Sequence, residues 1–257
     1  MKRLLSRLPA LFFPDRCLFC DEVIPYAEDG LCICSDCMST QIFLANVHTC
    51  TLCGCPLPPE EHLCDTCQTH IHFFDRALSC MTYEKEIRSA ILQFKFYHRI
   101  DLYRPMAALM VKRVLPFHQE SPYDVVVCAP QSKKSYLERG YNQADLLAKR
   151  IAKDIKLPYI KNAFLKIKET PKQSTLSYKE RMKNVEHAFK LNDTTPSLCN
   201  KRIILVDDVL TTGATADSLS KLLKRAGAAY VLVLTVAATE KDRLETFTPE
   251  DIAEITF

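Results

Sequence analysis

Residues 202–215 read RIILVDDVLTTGAT, and this stretch decides the fold class. The apolar run 203–206 shows no polar alternation, so it predicts a strand buried on both faces. Two adjacent acids follow, Asp207 and Asp208, then the small polar stretch Thr211-Thr212-Gly213-Ala214-Thr215. A helix is expected over 217–225, closed by Gly227. Strand, polar loop and helix in that order place the loop at the carboxyl edge of a parallel sheet, where open α/β folds bind ligands. The loop also meets a helix N-terminus, whose unpaired N–H groups and positive dipole end suit a phosphate monoester. Gly213 permits close backbone approach, and the threonine hydroxyls add donors that reorient easily. Asp207 and Asp208 would repel phosphate. They suit neutral ribose hydroxyls, or a metal ion bridging to the ligand.

Outward from this stretch the same texture recurs. Short apolar strands are expected at 77–83, 124–128 and 231–236, and helical spacing of apolar residues at 87–94, 102–115 and 142–155. Buried strands alternating with amphipathic helices predict an α/β domain with a parallel sheet. Residues 161–186 are rich in lysine with weak apolar periodicity, and read as a long mobile connection. None of the five glycines is followed by lysine, and no G-x-G-x-x-G occurs, so neither a P-loop nor a dinucleotide fingerprint is present.

The other end of the chain is different. Of 13 cysteines, eleven lie in residues 1–80. Eight form C-x-x-C pairs: Cys17/Cys20, Cys34/Cys37, Cys50/Cys53 and Cys64/Cys67. Two such knuckles complete a tetrahedral sulfur shell, so four knuckles predict two structural zinc ions. Sequential pairing and an interleaved cross-brace use the same residues, and the short intervals favour the sequential one. Cys32, Cys55 and Cys80 fall outside the pattern. His48, His62, His70 and His72 read as surface or core residues beside full sulfur shells. The N-terminal stretch is broken by Arg7 and Pro9 and has no cleavage signature, so a cytoplasmic location is expected without membrane insertion. Composition is ordinary for a globular chain, with 47% hydrophobic and 25% charged residues. Charge is lopsided: residues 1–80 hold 5 Lys+Arg against 10 Asp+Glu, and the rest hold 29 against 21. A polyanion would prefer the second part. A cysteine-rich module over 1–75 and an α/β domain over 76–257 are expected.

The stretch VDDVLTTGAT resembles the phosphoribosyl-pyrophosphate (PRPP) loop of type I phosphoribosyltransferases. The whole chain is similar to the ComF family of competence-associated proteins, which join a zinc-ribbon-like double-zinc module to such a domain. Supporting segments are QFKF at 93–96, APQSKKSYLERGYNQ at 129–143, TPKQSTLS at 170–177 and RMKNVEHAF at 181–189. The resemblance implies that Asp207 and Asp208 contact the ribose hydroxyls, that Thr211, Thr212, Gly213, Ala214 and Thr215 form the 5′-phosphate cradle, and that Val209 and Leu210 also belong to the PRPP site. It puts Ala129, Pro130, Gln131 and Ser132 in the pyrophosphate loop, with Lys133 and Arg139 assisting the leaving group. Here Cys128-Ala129-Pro130-Gln131 replaces the family's Pro-Val-Pro-Leu run. Asn142 and Gln143 match an Arg-Gly-Phe-Asn-Gln block in which Tyr141 replaces Phe, and Asn142 also reads as a helix cap. Lys95 matches a family lysine, or lies on a solvated helix face. Lys168, Gln173 and Arg181 would belong to a mobile hood.

The implied chemistry is displacement at C1 of PRPP with Mg²⁺, with Asp207, Asp208, Lys133 and Arg139 as catalytic residues. Two functions are expected from this. One is a PRPP-binding phosphoribosyltransferase acting in natural DNA uptake. The other is a non-catalytic competence factor that binds single-stranded DNA and a ComFA-like DNA-uptake helicase. The interleaved Lys95-Phe96-Tyr97-His98-Arg99 suits nucleic acid.

Overall fold

A computed structural model describes residues 14–24, 30–41, 43–167 and 188–239. Along the chain run α1 (Ser35–Thr40), α2 (Asp65–Thr69), β1 (Arg76–Thr82), α3 (Lys85–Phe96), α4 (Tyr103–Glu120) and β2 (Val125–Cys128). There follow α5 (Lys133–Arg139), α6 (Gln143–Asp154), β3 (Phe164–Lys166), β4 (Phe189–Leu191), β5 (Arg202–Leu210), α7 (Ala214–Arg225) and β6 (Tyr230–Ala238). Lys168, Gln173 and Arg181 lie outside the described residues, between β3 and β4.

Four strands form a parallel sheet in the order β1-β6-β5-β2. Ile203, Ile204 and Val206 have no exposed surface, and neither do Val231, Leu232, Val233 and Leu234. Consecutive residues point to opposite faces of a strand, so both faces of the sheet are covered, as the unbroken apolar runs predict. Helices α4 and α6 pack on each other and on the sheet, and α7 packs on β5, β6 and β4.

The ladder explains where a ligand finds room. Cys128, the last residue of β2, is level with Val206. Beyond Val206, β5 continues to Leu210 paired with β6 alone, Val209 facing Ala237 and Leu210 facing Ala238. Asp207 and Asp208 therefore sit on a strand that has lost its β2 neighbour, and residues 129–132 turn away beside them. The strand is longer than the apolar run, because main-chain pairing with β6 does not require apolar side chains.

Several boundaries differ from the expected ones. Helix α7 begins at Ala214, three residues before the expected start, because Gly213 (φ 82°) turns the chain into it. Helix α4 runs through Pro116 to Glu120. Helix α5 and the β3–β4 antiparallel pair were not expected.

The cysteine-rich segment is built into the same body. Leu18 and Leu31 belong to the apolar core that contains the sheet. The Ala77 N–H donates to the Leu52 carbonyl at 2.6 Å. Gly54 (φ 72°) lies so close that a Cβ there would stand 2.7 Å from the Ala77 oxygen. Only glycine accommodates both the left-handed backbone and this approach. Arg99 bonds Asp21, next to Cys20, at 2.9 Å. Among the described residues no helix is long and apolar enough to cross a membrane.

Candidate functional site

The knuckles pair sequentially. Cys17, Cys20, Cys34 and Cys37 form one four-sulfur cluster, and Cys50, Cys53, Cys64 and Cys67 form another. Across the knuckles the Cys20–Cys34 and Cys53–Cys64 sulfurs are 3.7 Å apart. Sulfurs around a tetrahedral zinc at about 2.3 Å stand roughly 3.75 Å from one another, so both clusters fit that ion. Cys34 and Cys64 occupy the N-cap positions of α1 and α2, and only Cys34 makes a side-chain cap bond. Cys17 accepts the Cys34 N–H at 3.4 Å, and Cys34 accepts that of Cys37 at 3.4 Å. Burial opposes ionisation of Cys17, but N–H groups of Cys20, Cys34 and Phe19 outweigh it and lower its pKa to about 7. Cys55 packs among the second set of sulfurs, and its thiol is pushed up by Cys50, Cys53 and burial. Cys80, inside the core, is pushed up to about 12 by burial.

At the sheet edge, burial raises the Asp207 carboxyl to about 7, with the neighbouring Asp208 charge adding to it. The Asp208 N–H donates to Asp207 Oδ1 at 2.8 Å and opposes that rise. Asp208 Oδ2 pairs with Lys95 Nζ at 2.9 Å. Burial works against the Lys95 charge, but Asp208, Tyr83 and Asp207 outweigh it and raise its pKa. Lys95 is thus turned in toward the acids, and the solvated-face reading is wrong. The reason is that α3 packs Ile87, Ala90, Ile91 and Phe94 inward and carries Lys95 to the carboxyl end of the sheet. Tyr83, just past β1, joins this group, its hydroxyl pKa raised by burial beside Lys95 and Asp208.

Within the loop, Thr212 is buried and its hydroxyl accepts the Ala214 N–H at 3.3 Å. Thr211 and Thr215 stay partly exposed. Gly213 is the N-cap of α7, which has no side-chain cap there. Val209 is half-buried and Leu210 buried, both within β5.

Across the gap, the Ala129 N–H donates to the Val206 carbonyl at 2.9 Å, and Pro130 and Gln131 follow. Both polar atoms of the Gln131 amide are buried without a hydrogen-bond partner. Ser132 caps α5, accepting the Ser135 N–H at 3.1 Å, and Gly140 closes that helix in the left-handed region. Lys133 and Lys134 are exposed. Arg139 lies 4.8 Å above the Phe96 ring and donates to Gln143 Oε1 at 3.2 Å. Arg139 Nε and Gln143 Nε2 are buried without partners. Asn142 caps α6 through the Ala144 N–H and donates to the Ala129 carbonyl at 3.1 Å. Its side chain thereby holds the 129–132 loop against the start of α6.

Residues 8–68 match the double zinc ribbon domain, and residues 135–254 match the phosphoribosyl transferase domain. Competence protein F of Haemophilus influenzae is 30% identical over 229 residues, which cover 88% of this chain and 98% of that protein. The chain belongs to the ComF family. DNA utilization protein YhgH of Escherichia coli K12 is 27% identical over 233 residues, 89% of this ComF chain and 99% of the relative. Competence protein ComFC of Streptococcus pneumoniae is 25% identical over 224 residues, 83% and 95% respectively.

Two features of the ComF chain escaped sequence reasoning. The stretch 95–99 does not present its cations together: Lys95 faces Asp208, and Arg99 pairs with Asp21 and Asp101. Phe96 and Tyr97 remain exposed, as do Tyr136 and Leu137 of α5. Helix α3 ends at Phe96 and the chain turns at His98 (φ 56°), so Lys95 and Arg99 do not share the helix face that linear interleaving assumes. His70 and His72, read as surface or core residues, converge on Asp217 of α7. The H-x-H spacing was the available signal, since residues two apart on an extended segment share a face.

Proposed function

We propose that this chain is a DNA-uptake or DNA-utilisation factor whose cleft at the ends of β2 and β5 binds PRPP or a related pentose phosphate. The observation that carries the ligand reading is the Asp207–Asp208 pair on the unpartnered flank of β5, running into an α7 N-terminus without a side-chain cap. Asp207 and Asp208 hold the ribose diol, and the main-chain N–H groups of 211–215 with Thr211 and Thr215 take the 5′-phosphate. Gln131, with both amide atoms buried and unpartnered, meets the pyrophosphate end together with Lys133 and Arg139. Mg²⁺ bound with the ligand supplies charge neutralisation for the pyrophosphate. Single-stranded DNA is taken by stacking on the exposed Phe96, Tyr97 and Tyr136 together with Lys133 and Lys134, the relatives named for competence and DNA utilization support a role in DNA handling, and a ComFA-like helicase would be the partner.

A second reading is phosphoribosyl transfer. In it the C1–oxygen bond to pyrophosphate breaks, the leaving group takes the electron pair, and an acceptor bonds to C1. It is favoured by Asp207, whose pKa near 7 suits proton handling at neutral pH.

The test is a thermal melt with millimolar PRPP and Mg²⁺. The melting temperature is expected to rise, and Asp207→Asn with Asp208→Asn to remove the rise. An unchanged wild-type curve overturns the ligand reading. Pyrophosphate release separates turnover from binding. In parallel, affinity for a single-stranded oligonucleotide is expected to fall with salt and with Lys133→Ala/Lys134→Ala. Salt-independent binding unaffected by that pair overturns the DNA surface.

A further inference from the structure

The chain between the second zinc ribbon and β1 carries His70-Ile71-His72, and the geometry points to a third metal site there, made by His70, His72 and Asp217. The segment is extended at His70 (φ −120°, ψ 127°), so the two imidazoles fall on one side and Ile71 on the other, 87% exposed. Both rings face the first turn of α7. His72 Nδ1 stands 2.7 Å from Asp217 Oδ2, and His70 Nε2 stands 3.5 Å from the same oxygen. The three donor atoms lie within 4.8 Å of one another. Around a tetrahedral zinc, nitrogen and oxygen ligands at about 2.0–2.1 Å are roughly 3.4 Å apart, a spacing that the two measured separations bracket.

Asp217 is prepared as a one-oxygen ligand. Its Oδ1 accepts the Phe73 N–H at 2.9 Å, which leaves Oδ2 for the imidazoles and the ion. The carboxylate is only 3% exposed, and among the described residues its charged partners are these two histidines alone. A buried carboxylate calls for a cation.

Two imidazoles and one carboxylate select a borderline divalent ion of the zinc class, and three protein ligands leave a fourth position open. The site is chemically distinct from the all-sulfur clusters. It lies against Gly213: a Cβ there would be 3.7 Å from His72 Cε1 and 4.0 Å from Asp217 Oδ2. The ion would join the tail of the ribbon module to the turn that opens α7, and so brace the loop 211–215 from behind.

The test uses the full chain with both sulfur clusters filled with zinc, titrated with Co²⁺. The wild type is expected to bind one further equivalent, giving d–d absorption without the sulfur-to-cobalt charge-transfer band that four-thiolate sites show. His70→Gln is expected to weaken that binding by at least about tenfold, the loss that removing even an outer-shell partner causes. His72 and Asp217 are buried, and their variants risk the fold. His70, 33% exposed, carries the test alone, with circular dichroism showing that the variant is folded. Absence of a sulfur-free cobalt band, or the same affinity in His70→Gln, overturns the site.

Discussion

Asp207 has a pKa that folding moves from 3.8 to about 7, so its proton is a stability variable. The folded state holds the proton more tightly than the unfolded chain. The group's contribution is therefore fully present below the unfolded value and is lost as pH rises through the folded one. A shift of this size corresponds to roughly 4 kcal/mol at most. Asp207→Asn removes the ionisation, so the ligand-free variant is expected to melt above the wild type at pH 8, by up to about 10 °C. At pH 4 the two should nearly coincide. Melts across that range check it, and a pH-independent difference refutes the linkage. The two acids were legible as a like-charged pair running on from an apolar strand. Their pairing with Lys95 was not, because that contact joins residues distant in the chain across the sheet edge.

Helices and strands divide along a physical line. Those whose apolar residues recur over ten or more positions, such as α6 and α7, were readable, as were the buried cores of β2, β5 and β6. Short elements were not: α5 buries no residue, and β3 and β4 are three residues each, held by pairing between segments far apart in sequence. Punctuation did announce α5, with Ser132 before it and Gly140 after it. At this scale Asn142 is the informative side chain, since it caps α6 and also anchors the Ala129 carbonyl. Asn142→Ala is expected to cost about 1–2 kcal/mol in urea denaturation, the cap supplying about half. Asn142→Asp keeps the cap acceptor and should recover much of that loss. Equal losses in both variants would place the stabilisation in the Ala129 bond.

Over the whole molecule, the sulfur clusters and the sheet share packing contacts. The second sulfur cluster is packed by little more than Leu52, Leu57 and Leu63, a core too small to hold without metal. Leu18 and Leu31, by contrast, lie in the main core. Stripping the sulfur-bound metal is therefore expected to do more than loosen the N-terminal part. A strong chelator should expose the knuckle cysteines to thiol reagents and lower the melting temperature of the sheet by roughly 10 °C, the counterpart of several kcal/mol in a chain of this size. A sheet transition unmoved by chelation would mean that the two parts are energetically independent. Gly54, where a side chain would strike the Ala77 carbonyl, marks a close approach in that contact.

By itself the sequence determined what is local or periodic: four thiolate knuckles, unbroken apolar strands, and an acid pair leading into a glycine turn. These follow from spacing, and spacing is written along the chain. Only the tertiary structure decided which acid meets Lys95, and that His70 and His72 close on Asp217. Each of those is a juxtaposition of distant segments, created when the parallel sheet brings the ends of β5 and the start of α7 against the tail of the ribbon module, and no local pattern encodes it.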